Sequence, residues 1–526
     1  MLAFAAAAAC AMSAWPLGAQ AASLAPPSKQ VATINLGTFP TTLDPSKARS
    51  ESDRIVANAL FAPLYRSTGT AGTLVPFLAT GQPVASQGGR RYTVTLRAAK
   101  WSDGTPIGAR DVKYAFDRAK ILSPIGKLAA SDATATVVGP RTIRFDLSAA
   151  SPWFAEVLAS TATTPVPAQV VKRFGDTWTT PKNIATSGPF RLFATSGHSE
   201  AVLVPNPSWW GRSSVRLRTL RLVVATPASG TQLFRAGRID AGMRDTSVPA
   251  SLMTSMRANA GFRTTTSGTA WYLFQNTTSV ALQSSAVRRG VALAIDRASL
   301  AASTSGGFDM PLETIVPSSA RGFATIAAEG ELLLPSSGAP QVSRATAELT
   351  AGGWSKTTKL DLWYDGTSAP VVAMASTIVG NLGDVGVPVT PHPVTPQMLD
   401  RVGTGTSPIG SDVELVLRSV HADRADPSFW HSMFTCPAVT LGRNPSNFCL
   451  AGADGAIDLA STSSPFATRA AIHHNVELEF TGTSGAMPAV PLVEPVGEYL
   501  VQKWVRNFSI RSTGLVDFER VYLLDH

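Results

Sequence analysis

Cysteine, histidine and charge are what this 526-residue chain has little of. Three cysteines and seven scattered histidines are too few for a cysteine-rich metal site or a disulfide-dense scaffold. Charged residues make up 15% of the chain, and no run of five or more basic residues occurs. The excess of 45 Lys+Arg over 36 Asp+Glu is therefore diffuse, which argues against a nucleic-acid partner, since that needs a concentrated basic stripe. Beyond the first 22 residues no apolar run approaches the ~20 residues that cross a bilayer. A Gly-x-Ser-x-Gly elbow and a His-Glu-x-x-His pair are also missing, which leaves a secreted hydrolase as a distant alternative and a non-enzyme as the expectation.

What is present is a globular composition. Hydrophobic residues reach 44%, and 526 residues exceed a single core, so two or three domains are expected. Met1 to Ala22 is apolar, Ala-rich and uncharged, and it ends in Ala19-Gln20-Ala21, a small-x-small cleavage pattern. It reads as a secretory signal peptide without the usual basic start; Pro16 and Gly18 interrupt it short of a membrane span. Cys10 lacks the Leu that a lipoprotein anchor carries three residues earlier, so a periplasmic protein without a lipid anchor is expected. Two cysteines then remain. In an exported chain Cys436 and Cys449 fit a disulfide closing a short loop, which would stabilise by roughly 3 kcal/mol. Two buried free thiols are the alternative, and zinc is disfavoured because no His or second Cys pair lies between them.

The most informative segment runs from Trp101 to Phe116. Before it, Arg91-Tyr-Thr-Val-Thr-Leu-Arg97 alternates as a strand does; after it, Val112, Ala115, Phe116 and Ala119 recur with a helical period. Asp103-Gly104 and Pro106 mark a tight turn between them, and Asp111 falls in the first helical turn, where a negative charge suits the exposed N–H groups. The wording Trp101-Ser-Asp103-Gly104-Thr-Pro106 with Asp111-Val112 resembles the signature of the extracytoplasmic solute-binding proteins of peptide ABC transporters, family 5. Further segments resemble the same family in order. They include Leu43-Asp44-Pro45, Ser187-Gly188-Pro189-Phe190, Asn206 to Gly211, Gly237-Arg238-Ile239-Asp240, Trp271 to Thr277 and Ala286 to Arg297. Gly108 stands where the family usually caps the motif helix with Thr or Asn, and Gly290 replaces a usual Ala, a change expected to cost ~1 kcal/mol of helix propensity unless a neighbour packs close.

The resemblance implies an α/β fold of the periplasmic-binding-protein type (class II, large three-domain form), two lobes joined by a hinge. Residues 1–22 would be the signal peptide and 31–50, 182–266 and 491–526 a discontinuous domain I; 51–181 would form domain II and 267–490 domain III. It also implies a monomer that captures a di- or oligopeptide and delivers it to an inner-membrane ABC permease complex, with no cofactor.

Arg418 to Trp430 resembles the family's ligand loop, in which the first Asp holds a peptide ammonium; position for position that is Asp423. The other expected ligand contacts are Ser419, Val420 and His421, then Thr38, Phe39, Trp271, Tyr272 and Tyr364. The stretch Cys436 to Cys449 resembles the disulfide loop of dipeptide-binding and Sap-type members, which places the chain nearest those branches. Two departures bear on the ligand: Val420 stands where an aromatic is usual, and residues 364–370 hold no Arg to clamp a ligand carboxylate. Without that clamp, longer peptides fit, as does a metal complex, haem or a polyamine as the alternative ligand. No metal-ligand set is expected, His421 being single at the site and His473-His474 diverging on a helix.

Overall fold

The computed structural model describes residues 23–68, 73–123, 133–243, 252–266, 268–303, 309–327, 331–399, 401–402, 413–422, 425–440, 444–463, 465–511 and 513–526. The signal-peptide segment 1–22 and Asp423 lie outside the described residues. Within them, no helix is long and apolar enough to cross a membrane.

Among the described residues, three sheets of four to six strands organise the fold. Strands Ala241–Gly242, Val31–Asn35, Thr219–Val223, Glu200–Pro205 and Phe190–Ser196 form the first, in that order. The second is antiparallel, in the order Val84–Ser86, Arg91–Thr95, Thr142–Leu147, Ala133–Gly139. The third has six strands and is built around Thr269–Gln275, which lies between Ala489–Glu494 and Leu415–His421. One hydrophobic core joins the first two sheets into a lobe; it runs from Ala25 to Met243 and is completed by Tyr499 to Leu523. The third sheet carries a core on each face. Leu273, Leu415 and Leu417 pack on one side, and Tyr272, Phe274 and Val416 on the other. That period of two is what a strand buried on both faces requires.

The predicted strand–turn–helix is present. Strand Arg91–Thr95 is followed by an Asx turn in which Asp103 Oδ1 accepts from the Thr105 amide at 2.9 Å, and helix Ala109–Leu122 follows. Trp101 is buried and Asp111 ties the helix start to its surroundings, accepting from Gly108 N at 3.0 Å and from Ala168 N at 3.1 Å. The signature therefore builds the scaffold of lobe one. Gly188 has a similar role: a Cβ there would lie 2.7 Å from the Ala59 carbonyl oxygen, so only glycine lets the Gly-Pro-Phe strand start touch helix Glu51–Leu60.

The lobes are joined by a two-stranded ribbon. Strands Phe262–Thr266 and Val496–Leu500 pair antiparallel, and their continuations Thr269–Gln275 and Ala489–Glu494 pair again inside lobe two, with a register shift between Trp271 and Tyr272. The chain thus passes between lobes twice, side by side, near Gly268 and Pro495.

Candidate ligand cleft

A cavity of about 900 Å3, counting the part open to solvent, lies between the lobes. Lobe one contributes Arg54, Leu74, Glu156, Ser160 and Thr161, together with Leu515 from the C-terminal segment. Lobe two contributes Gly268, Ser319, Ala320, His421, Ala422 and Trp430. Small side chains dominate the lobe-two wall, so main-chain atoms are close to the cavity there.

The wall is placed by the third sheet. Strand Leu415–His421 pairs with Thr269–Gln275 along its whole length, but with Leu360–Asp365 only from Leu415 to Leu417. Its last residues therefore extend beyond that neighbour toward the cavity. His421 ends the strand, with Nδ1 3.0 Å from Thr269 Oγ1, and the Ala422 amide donates to Gly268 O at 2.8 Å.

Next to the wall is a charge network. Asp426 is fully buried; its carboxylate pairs with Arg469, lies 3.0 Å from Arg321 Nη2 and accepts from the Ser428 amide at 3.1 Å. Burial pushes the Asp426 carboxyl up, but Arg469, Ser428 and Arg321 together bring it below the ordinary carboxylate value. Glu156 of lobe one reaches the same group: its Oε1 lies 3.1 Å from Arg321, and its Oε2 accepts from the Asp426 amide at 3.2 Å. In the core of lobe two, His431 Nε2 is 3.0 Å from Glu477 Oε2 and His431 Nδ1 is 2.9 Å from His473 Nδ1. Glu477 also accepts from the Ile315 amide at 2.7 Å and the Val316 amide at 3.2 Å, so His431 donates to it from Nε2 and, when neutral, accepts from His473.

The expected contacts are dispersed. His421 lines the cavity, and the described neighbours of Asp423, Ala422 and Ala425, line it too. Ser419 and Val420 are half-buried farther back on the strand, Val420 against the lobe-two core. Thr38 and Phe39 sit in lobe one outside this cavity, Thr38 bonded to Ser52 at 3.1 Å and Phe39 edge-on to His198 at 5.6 Å. Trp271 packs against the core from a half-buried position. Tyr272 and Tyr364 are core residues, not cleft residues. Tyr272 is fully buried with its hydroxyl donating to the Ile315 carbonyl, and burial raises its pKa well above the ordinary value. Cys436 and Cys449 form the disulfide, and Asn447 within its loop donates to Asn276 Oδ1 at 3.1 Å, fixing the loop to the end of strand Thr269–Gln275. Among the described residues no group of three His, Cys, Asp or Glu side chains is placed to hold a metal ion.

Sequence reasoning missed Arg54, Glu156 and Arg321. One signal was available: Glu156 is the single charge in the apolar run Trp153-Phe-Ala-Glu-Val-Leu158, where a carboxylate needs a partner from elsewhere.

Two lobes, a paired-strand connection and a cleft between them define a bilobal solute-binding protein. The chain belongs to the bacterial extracellular solute-binding proteins of family 5, whose model matches residues 73–439, more than half of its length. The periplasmic murein peptide-binding protein MppA of Escherichia coli (strain K12) is 26% identical over 95% of this chain and 94% of its own. The dipeptide-binding protein DppE of Bacillus subtilis is 23% identical over 40% of this chain and 42% of its own. The full-length likeness is therefore to a murein peptide-binding protein, where the disulfide-loop resemblance pointed to the dipeptide-binding and Sap-type branches. In structure, the unliganded open form of MppA superposes with a TM-score of 0.80 at 24% identity, covering 97% of this chain and 99% of its own. Haemophilus influenzae OppA in complex with RPPGFSPFR gives 0.69 at 18% identity, covering 94% and 99%. These likenesses confirm the α/β periplasmic oligopeptide-binding fold.

Proposed function

We propose that this protein captures peptides in the periplasm and delivers them to an inner-membrane ABC permease. The observation that carries this reading is the strand Leu415–His421, which outruns its neighbour at Leu417 and ends on the cavity wall. A peptide laid beside such a strand bonds through its main chain and leaves its side chains to spacious, small-residue walls, which tolerates varied sequence. The full-length likeness to MppA, a murein tripeptide-binding protein, favours ligands longer than a dipeptide. The domain division is part of this reading, with domains I and II sharing lobe one and with the boundary between domain III and the last part of domain I moved from 490 to the end of strand Ala489–Glu494, which pairs inside lobe two.

Asp423 is assigned the ligand ammonium, between two residues that line the cavity. Arg54, on the opposite wall, is assigned a ligand carboxylate and takes the place of the clamp that residues 364–370 lack. The test is calorimetric titration of ligand-stripped protein with peptides of increasing length, each also N-acetylated or C-amidated. Free peptides are expected to bind. Asp423→Asn should weaken them by roughly 2–5 kcal/mol, as loss of a buried ion pair does, and make the remaining binding indifferent to N-acetylation. Arg54→Ala should do the same for C-amidation. If no peptide binds, the reading falls.

A further inference from the structure

We propose that Glu494 is a positioning residue for the ligand, its buried carboxylate holding part of the lobe-two wall in place. The proposal rests on reading the cleft as the peptide site. The wall residues Ser319 and Ala320 come from the stretch between strand Met310–Pro311 and helix Phe323–Ile326, which has no helix or strand of its own. Such a stretch lacks the ladder that satisfies buried backbone groups, so its amides need partners from elsewhere. Two fully buried carboxylates supply most of them. Glu477 accepts from the Ile315 amide at 2.7 Å and the Val316 amide at 3.2 Å. Glu494 Oε2 accepts from the Ser318 amide at 2.8 Å and its hydroxyl at 2.5 Å, and Oε1 accepts from the Ser319 amide at 3.2 Å. The Ala320 amide then donates to Pro317 O at 3.0 Å and the Arg321 amide to Ala425 O at 2.8 Å. Every backbone N–H from Ile315 to Arg321 is thereby used, Pro317 having none.

The two carboxylates hold different ends of the segment. Ile315 and Val316 are fully buried in the lobe-two core, so Glu477 anchors the segment to that core. Ser319 lines the cavity, and Glu494 holds it directly. Glu494 is itself the last residue of strand Ala489–Glu494, where it pairs with Met310. An ionised carboxylate accepts on both oxygens, which two successive N–H groups aimed at it require. Glutamine at the same place would turn an NH2 group toward one of those donors. The position of Ser319 and Ala320, and with it ligand affinity, therefore depends on Glu494, while Glu477 affects stability alone.

The test compares Glu494→Gln with Glu477→Gln in ligand-stripped protein. Hydrogen exchange, resolved to single amides by mass spectrometry, needs no ligand. Glu494→Gln should speed exchange at Ser318 or Ser319 by about tenfold, and Glu477→Gln at Ile315 or Val316. Calorimetric titration with trialanine and pentaalanine should show about tenfold weaker binding to Glu494→Gln and wild-type affinity in Glu477→Gln, whatever its melting midpoint. If Glu494→Gln fails to fold, Ser318→Ala, which removes one of its donors, should weaken binding about threefold in its place. Unchanged exchange at both Ser318 and Ser319 in Glu494→Gln would overturn the proposal, as would equal affinity losses in the two glutamine variants or none in either. If neither oligoalanine binds the wild type, the peptide reading is what fails, and exchange alone decides whether Glu494 holds the wall.

Discussion

His473 is fully buried in lobe two, and burial first, then the neighbouring His431, lowers its pKa from 6.5 to about 3, despite the opposing pull of Asp426. The folded protein therefore keeps this imidazole neutral while the unfolded chain protonates it below about pH 6.5. Stability contributed by His473 is complete above that pH and is lost progressively as pH falls toward 3, at up to about 1.4 kcal/mol per pH unit for the one proton. The melting midpoint should fall between pH 6.5 and 4.5, and His473→Gln, which can donate to His431 but takes up no proton, should make that fall shallower. Equal slopes would assign the acid sensitivity to other groups. At this scale the sequence was a partial guide. The strand end at His421 was legible because a family pattern follows it, and the structure does end the strand there, on the cavity wall. The burial of Tyr272 and Tyr364 was not legible, because an aromatic on an alternating strand reads the same whether its face meets a cleft or a core. Arg54, Glu156 and Arg321 come together only through tertiary packing, from three segments far apart in the chain.

At the scale of elements, Gly290 shows how packing reverses a propensity argument. Its helix Ser285–Ala294 lies against helix Val342–Ala351, and a Cβ at Gly290 would sit 2.7 Å from Leu349 Cγ and 3.0 Å from Ala345 O. Alanine would gain about 1 kcal/mol of helix propensity, but overpacking costs typically 1–3 kcal/mol, so Gly290→Ala should lower the melting midpoint. A raised midpoint would mean that the two helices separate easily. The disulfide is a second element-scale device, joining cysteines 13 residues apart next to the loop that bonds Asn276. Replacing both cysteines by serine should cost roughly 3 kcal/mol, and reductant should lower the midpoint of the wild type but not of the variant. The elements themselves were largely legible. Turn glycines and prolines marked their ends, while strand Leu415–His421 extends four residues beyond the Leu417 at which periodicity alone ended it.

For the whole molecule, the account requires two bodies and a hinge. Each lobe has its own core, and the connecting ribbon is two paired strands, so closure can proceed by rotation near Gly268 and Pro495 without unpacking either lobe. Ligand should decrease the radius of gyration measured by small-angle scattering; an unchanged radius on saturation would contradict a hinge. The two-lobe plan came from the order of matched segments along the chain, since no single segment specifies it. The measurement that tests the central claim most directly is native mass spectrometry of the protein as purified, followed by denaturation to release what it carries. The account predicts a set of small peptides whose masses report the preferred length. A metal complex, haem or polyamine released in their place would contradict peptide capture while leaving the fold as described.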